Sequence, residues 1–127
     1  MLADIHHVQI TIPRGSEPEG RRFYCGVLGL TEIAKPDDLK TRGGFWLRVG
    51  DRQLHIGVED GVDRRATKAH IAYEVSCLED WRTRLSVAGI EIIDSVSMPG
   101  HDRFEFRDPF GNRVEFIEPA DARRSME

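Results

Sequence analysis

An α+β fold made of two copies of a βαβββ module is what this sequence predicts, and three observations predict it. First, segments recur at a fixed distance. Val27-Leu28-Gly29-Leu30-Thr31-Glu32-Ile33 is answered by Val87-Ala88-Gly89-Ile90-Glu91-Ile92-Ile93, and Arg52-Gln53-Leu54-His55-Ile56 by Asn112-Arg113-Val114-Glu115-Phe116, both 60 positions later. Ile5-His6-His7-Val8 resembles Lys68-Ala69-His70-Ile71 at a distance of 63, and a loop absorbs a three-residue difference at little entropic cost. Second, each half shows a strand period followed by a helix period and then short strands. Third, turn residues separate these segments at matching places.

In the first half, residues 4–12 alternate. Val8, Ile10 and Ile12 fall on one face and His7, Gln9 and Thr11 on the other, as in a half-buried strand. Residues 17–28 read as a helix opened by Ser16 as N-cap and closed near Gly29, its Phe23, Val27 and Leu30 facing the sheet. Residues 30–34, 44–49 and 52–58 read as strands, the last two joined through Gly50-Asp51. Glu59 to Lys68 is a polar linker. The second half repeats the plan: a strand at 69–76, a helix at about 78–88 ending at Gly89, then strands near 90–94, 102–107 and 113–118. Asp108-Pro109-Phe110-Gly111-Asn112 makes the turn between the last two. The 127 residues are thus one domain, with module 1 at about 1–58 and module 2 at about 69–119.

Composition narrows the function classes. With 39% hydrophobic and 31% charged residues the chain belongs with ordinary globular proteins. A formal net charge of −4 has the wrong sign for a general nucleic-acid binder. No apolar run approaches the ~20 residues that span a bilayer, and MLADIHHV lacks the regions of a secretory signal, so a cytoplasmic protein with no membrane partner is expected. Cys25 and Cys77 form no CxxC pair and read as free, buried or partly buried thiols.

Side chains alternate along a strand, so apolar neighbours fix which way each candidate ligand points. Leu54, Ile56 and Val58 should pack under a helix, which turns Gln53, His55 and Gly57 to the opposite face. Val114 and Phe116 do the same for Arg113 and Glu115, and Ile71, Tyr73 and Val75 for His70. His7 and His70 hold equivalent places in the two modules, as do His55 and Glu115. One such histidine alone would be an ordinary structural residue; two equivalent pairs point to a divalent-metal site of His7, His55, His70 and Glu115. Three imidazoles and a carboxylate suit Zn, Ni, Co, Fe or Mn. His6 is expected on the helix side and His101 at a rim.

These residues resemble those of the vicinal oxygen chelate superfamily, which includes glyoxalase I, fosfomycin-resistance thiol transferases, methylmalonyl-CoA epimerase, extradiol dioxygenases and bleomycin-binding proteins. The resemblance runs to about Pro119. It rests on Ile5-His6-His7-Val8, Phe23-Tyr24-Cys25-Gly26-Val27-Leu28-Gly29-Leu30, Ala69-His70-Ile71 and, most specifically, Asp108-Pro109-Phe110-Gly111-Asn112-Arg113-Val114-Glu115-Phe116. It implies a glyoxalase-like fold, a curved mixed sheet around a metal cleft. It places His7 and His70 on the first-strand ligands and Glu115 on the last-strand carboxylate. His55 falls where glyoxalase I has glutamate and the epimerase glutamine, which removes one of the two carboxylates that a lactoylglutathione lyase uses.

The implied chemistry is chelation of a substrate with vicinal oxygens by the metal, with Glu115, the one carboxylate in the set, as general base or plain ligand. Parity leaves Trp46, Arg48, Arg103, Glu105 and Arg107 toward the cleft. With Gln9 and Arg113, the basic residues among them suggest an anionic small-molecule substrate, unless the arginines pair with acids such as Glu105. The leading expectation is a glyoxalase-type lyase or isomerase, with glutathione or another thiol as a candidate cosubstrate. Its alternatives are a fosfomycin-type thiol transferase using His7, His70 and Glu115, an extradiol dioxygenase, and a metal-free drug-binding resistance protein. A homodimer is expected, because each module closes only half of a cleft.

Overall fold

The computed structural model describes residues 1–96 and 98–120. The chain forms two compact units, the first from Met1 to Val62 and the second beginning at Asp63.

In the first unit the strands are β1 (His7–Ile12), β2 (Thr31–Ile33), β3 (Phe45–Val49) and β4 (Arg52–Val58), in the sheet order β1-β4-β3-β2. β1 runs parallel to β4, and the other neighbours are antiparallel. The second unit repeats this with β5 (His70–Glu74), β6 (Ile93–Asp94), β7 (His101–Arg107) and β8 (Arg113–Pro119), ordered β5-β8-β7-β6. The fold is α+β with two mixed four-stranded sheets, each hydrogen-bonded within its own module.

The ladder registers reproduce the sequence repeat. His7 lies opposite Gln53 and Gln9 opposite His55; His70 lies opposite Arg113 and Ala72 opposite Glu115. Positions 7 and 70, and 55 and 115, are therefore equivalent in hydrogen-bonding terms as well as in sequence.

Burial follows the predicted faces. Phe45, Leu47, Leu54 and Ile56 are buried in the first sheet, and Phe104, Phe106, Val114 and Phe116 in the second. Over the second sheet lies α2 (Leu78–Val87), which buries Leu78 and Leu85 and sets Trp81 edge-on to Phe116 at 5.1 Å. Its N-terminus has no side-chain cap of its own, since Cys77 sits in the left-handed region at φ 56°. Glu118, buried on β8, supplies the acceptor for the Leu78 N–H instead.

Several expectations are corrected. The first helix is α only over α1 (Glu17–Arg21) and continues as a π-helical segment over Arg22–Val27. The extra residue per turn shifts the apolar stripe, so that Phe23, Tyr24 and Leu28 are buried while Val27 is only half-buried. Ser16 occupies the N-cap without capping a helix N–H; its hydroxyl donates to the Pro13 carbonyl at 2.5 Å. β1 begins at His7 rather than residue 4, and Val8 near its start is exposed. β5 and β6 are shorter than expected. The linker holds a 3-10 turn at Arg64–Ala66 with Arg64 buried, and a second turn of this kind, unforeseen, spans Asp37–Arg42.

The Asp108-Pro109-Phe110-Gly111-Asn112 motif has a structural explanation. Asp108 is 2% exposed, and its Oδ1 accepts from the Phe110 and Asn112 backbone N–H groups at 2.9 Å each while Oδ2 accepts from the Asn112 side chain at 2.9 Å. The clasp closes the hairpin that carries Glu115.

Candidate functional site

The predicted ligands come together as two pairs, one per module. On the first sheet, Trp46, His55 and His7 form a stack across β3, β4 and β1. Trp46 lies opposite His55 in the ladder with ring centroids 3.8 Å apart and planes 4° from parallel; His7 covers the other face of His55 at 4.0 Å and 14°. The imidazole of His55 is sandwiched and only 5% exposed. Its Nε2 donates to Gln53 Oε1 at 2.9 Å, which leaves the lone pair on Nδ1. Burial first, then the positive ends of His7, His6 and Lys35, pushes its pKa down from 6.5 to about 4. The ring is neutral at physiological pH, as a metal ligand must be. His6 is exposed rather than turned to the helix side, and its Nδ1 lies 3.0 Å from Nδ1 of His7, so one ring donates to the other.

On the second sheet, His70 Nδ1 donates to the Lys68 carbonyl at 2.9 Å. That bond selects the tautomer: the lone pair resides on Nε2, which faces Glu115 Oε1 at 3.6 Å. With the ring neutral, two lone-pair atoms so placed could both reach one ion ~2.1 Å from each, since the limit for such a pair is ~4.2 Å. Orientation of a ligand histidine through its other ring nitrogen is the usual support in metal sites. In the second half the two donors are spaced to share one ion, whereas in the first half the His7 and His55 rings are stacked face to face. Among the described residues no group of three or more His, Cys, Asp and Glu side chains gathers closely enough to hold an ion.

The arginines arrive already engaged. Arg103 Nη1 donates to Glu115 Oε1 at 3.2 Å, and its Nε to the Val96 carbonyl at 2.9 Å. Arg113 Nε donates to Glu105 Oε2 at 2.8 Å. Arg107 donates to the carbonyls of Arg64 and Gly111, bracing the turn. Arg48 is exposed on β3. Gln9 extends over Gly57, where a Cβ would come within 2.9 Å of the Gln9 amide nitrogen. His101 opens β7, half-buried, its Nδ1 donating to the Pro99 carbonyl. Both cysteines are free and half-buried.

Sequence reasoning had turned Gln53 to the correct face without seeing it as the partner of His55. It missed Lys35 and Arg42 altogether, because they sit in and beside an aperiodic turn between β2 and β3.

Comparison with known proteins agrees with this architecture. Residues 4–116 match the model of the Glyoxalase/Bleomycin resistance protein/Dioxygenase superfamily, and the chain belongs to that superfamily. It is similar to a protein of the glyoxalase family from Bacillus anthracis, at 43% identity over 94% of this chain and 97% of that one, with a TM-score of 0.87. At 19% identity it shares the fold of a lactoylglutathione lyase from Agrobacterium tumefaciens (92% and 94% covered, TM-score 0.69). At 14% it shares that of the fosfomycin resistance protein FosX from Listeria monocytogenes, solved with Mn(II) and sulfate (99% and 98% covered, TM-score 0.76). A search of curated proteins found no match.

Proposed function

We propose that this protein is a metal-dependent enzyme of the glyoxalase type, with lyase or isomerase chemistry on a small, oxygen-rich, anionic substrate. The observation that carries the reading is the His70–Glu115 pair, its tautomer set by Lys68, standing at the same ladder positions as His7 and His55. Each pair is half of a coordination set, and a stable site takes two halves; this is why we also propose a homodimer and treat the two modules as one domain. No helix among the described residues is long and apolar enough to cross a membrane, and a cytoplasmic setting is part of the same proposal.

A bound divalent ion (Zn, Ni, Co, Fe or Mn) would supply Lewis-acid polarisation of two substrate oxygens. His7, His55, His70 and Glu115 would hold it. Glu115 would take the substrate proton, since it is the carboxylate of the set and its Oε1 is aimed by Arg103. Gln9, Trp46 and Arg48 would orient the substrate on the first sheet, and Arg103, Arg107 and Arg113 on the second where the substrate displaces their carboxylate and carbonyl partners. A thiol cosubstrate such as glutathione belongs to the same proposal.

One observation favours a second reading. Both faces of His55 are covered and its Nε2 is spent on Gln53. If His55 only packs, the set contracts to His7, His70 and Glu115, which suits the thiol transferase branch. Elemental analysis of purified protein decides: wild type should carry about one divalent ion per site, His70→Ala and Glu115→Ala should lose it, and His55→Ala should weaken it. Metal-free wild-type protein after growth and dialysis with each of the five ions would refute the proposal.

A further inference from the structure

The first unit contains a cavity of about 240 Å³ whose lining includes Gln9, Lys35, Arg42, Gly43, Trp46 and Gly57. We propose that it binds the oxyanion end of a small ligand, a carboxylate or a phosphonate, whose planar or apolar remainder lies against Trp46.

Uncompensated charge is the first argument. The arginines of the second module are paired with carboxylates or bonded to carbonyls, but the two cations here have no carboxylate partner. Arg42 is exposed and makes no ion pair among the described residues, and Lys35 donates to the Gly43 carbonyl at 2.6 Å, which places its ammonium without neutralising it. Of the two acids on the same turn, Asp37 is spent on Lys40 at 2.7 Å and Asp38 is exposed. Glu17, from α1, accepts the Gly44 N–H at 3.3 Å through Oε2, and its buried Oε1 has no partner among the described residues, so one carboxylate stands beside this turn. Two cations that form no ion pair among the described residues thus line one cavity in a chain of net charge −4.

Missing side chains are the second argument. Gly44, at φ 78°, passes so close to β4 that a Cβ would fall 2.0 Å from the Ile56 carbonyl oxygen, so only glycine lets the turn close there. Gly57 leaves open the space into which the Gln9 amide extends, giving the cavity a neutral donor opposite the cations. A cavity of about 240 Å³ has room for a single-ring acid. Because Trp46 also covers His55, an occupant would lie beside the histidine stack. The inference rests on the reading of this sheet face as the ligand face, and is independent of the metal.

The test is calorimetric titration of the full chain in EDTA with benzoate, phenylphosphonate and the neutral benzyl alcohol. Both or either of the anions should bind, more weakly as salt rises, and benzyl alcohol at least tenfold more weakly. The preference between the two anions identifies the oxyanion. Arg42→Gln, at an exposed position that leaves the fold intact, should weaken the anion about tenfold, as loss of one charge-assisted hydrogen bond does; Lys35→Met should do the same, and Gly57→Ala should weaken it by displacing Gln9. Equal affinity for benzyl alcohol, affinities unchanged in both Arg42→Gln and Lys35→Met, no anion binding up to 10-millimolar order, or binding that appears only with added metal would each overturn the proposal. Anion binding in a protein that takes up no metal would uphold it while refuting the metal-dependent function.

Discussion

The stacked His55 makes stability depend on pH in a calculable way. Its pKa is about 4 in the fold against 6.5 in the open chain. Between these values the unfolded chain takes up a proton that the folded ring refuses, so stability falls as pH falls. The contribution is complete above pH 6.5 and gone below pH 4. The slope is about 1.4 kcal/mol per pH unit, which over the window amounts to about 3 kcal/mol, a sizeable share of a small domain's stability. His55→Phe keeps a ring between Trp46 and His7 but cannot titrate, and its lost bond to Gln53 costs about 1 kcal/mol at every pH. Urea unfolding of both proteins in EDTA, at steps from pH 7.5 to 4.5, isolates the term, because every other ionisable group is present in both. The wild-type advantage should shrink steadily below pH 6.5 and reverse at pH ~6. A difference between the two that stays flat within about 0.5 kcal/mol across this range would refute the buried, neutral stack.

Asp108→Ala leaves two backbone N–H groups of a buried turn without an acceptor and should cost about 3 kcal/mol, read from the urea midpoint, whereas Asp108→Asn should retain part of it. Cys77→Gly should stabilise the protein by about 1 kcal/mol, because glycine enters the left-handed region without strain; an unchanged or lower midpoint would count against this. Metal affinity should decline on acidification, since an imidazole must be neutral to bind, and full occupancy at pH 4.5 would show that carboxylates alone hold the ion. Thermal melts with and without EDTA should differ in wild type and coincide in His70→Ala.

Parity along a strand and spacing along the chain are local properties, and what depends on them was legible beforehand. The buried positions of β3, β4, β7 and β8, the face carrying His55 and Glu115, and the equivalence of position 7 with 70 all follow from alternation and a repeat of 60 to 63 residues, because a register slip of one residue would turn every apolar side chain to water. Contacts between strands are another matter. That Trp46 and His7 close on His55, that Arg113 spends its charge on Glu105, and that Lys35 and Arg42 form no ion pair among the described residues are decided by distances across the sheet and by an aperiodic turn. The π-helical segment belongs here too: local propensity favours an α-helix, and burial of Phe23, Tyr24 and Leu28 together against the sheet outweighs it. Charge pairing, ring stacking and loop closure depend on residues far apart in the chain, so only the folded molecule brings their partners within reach.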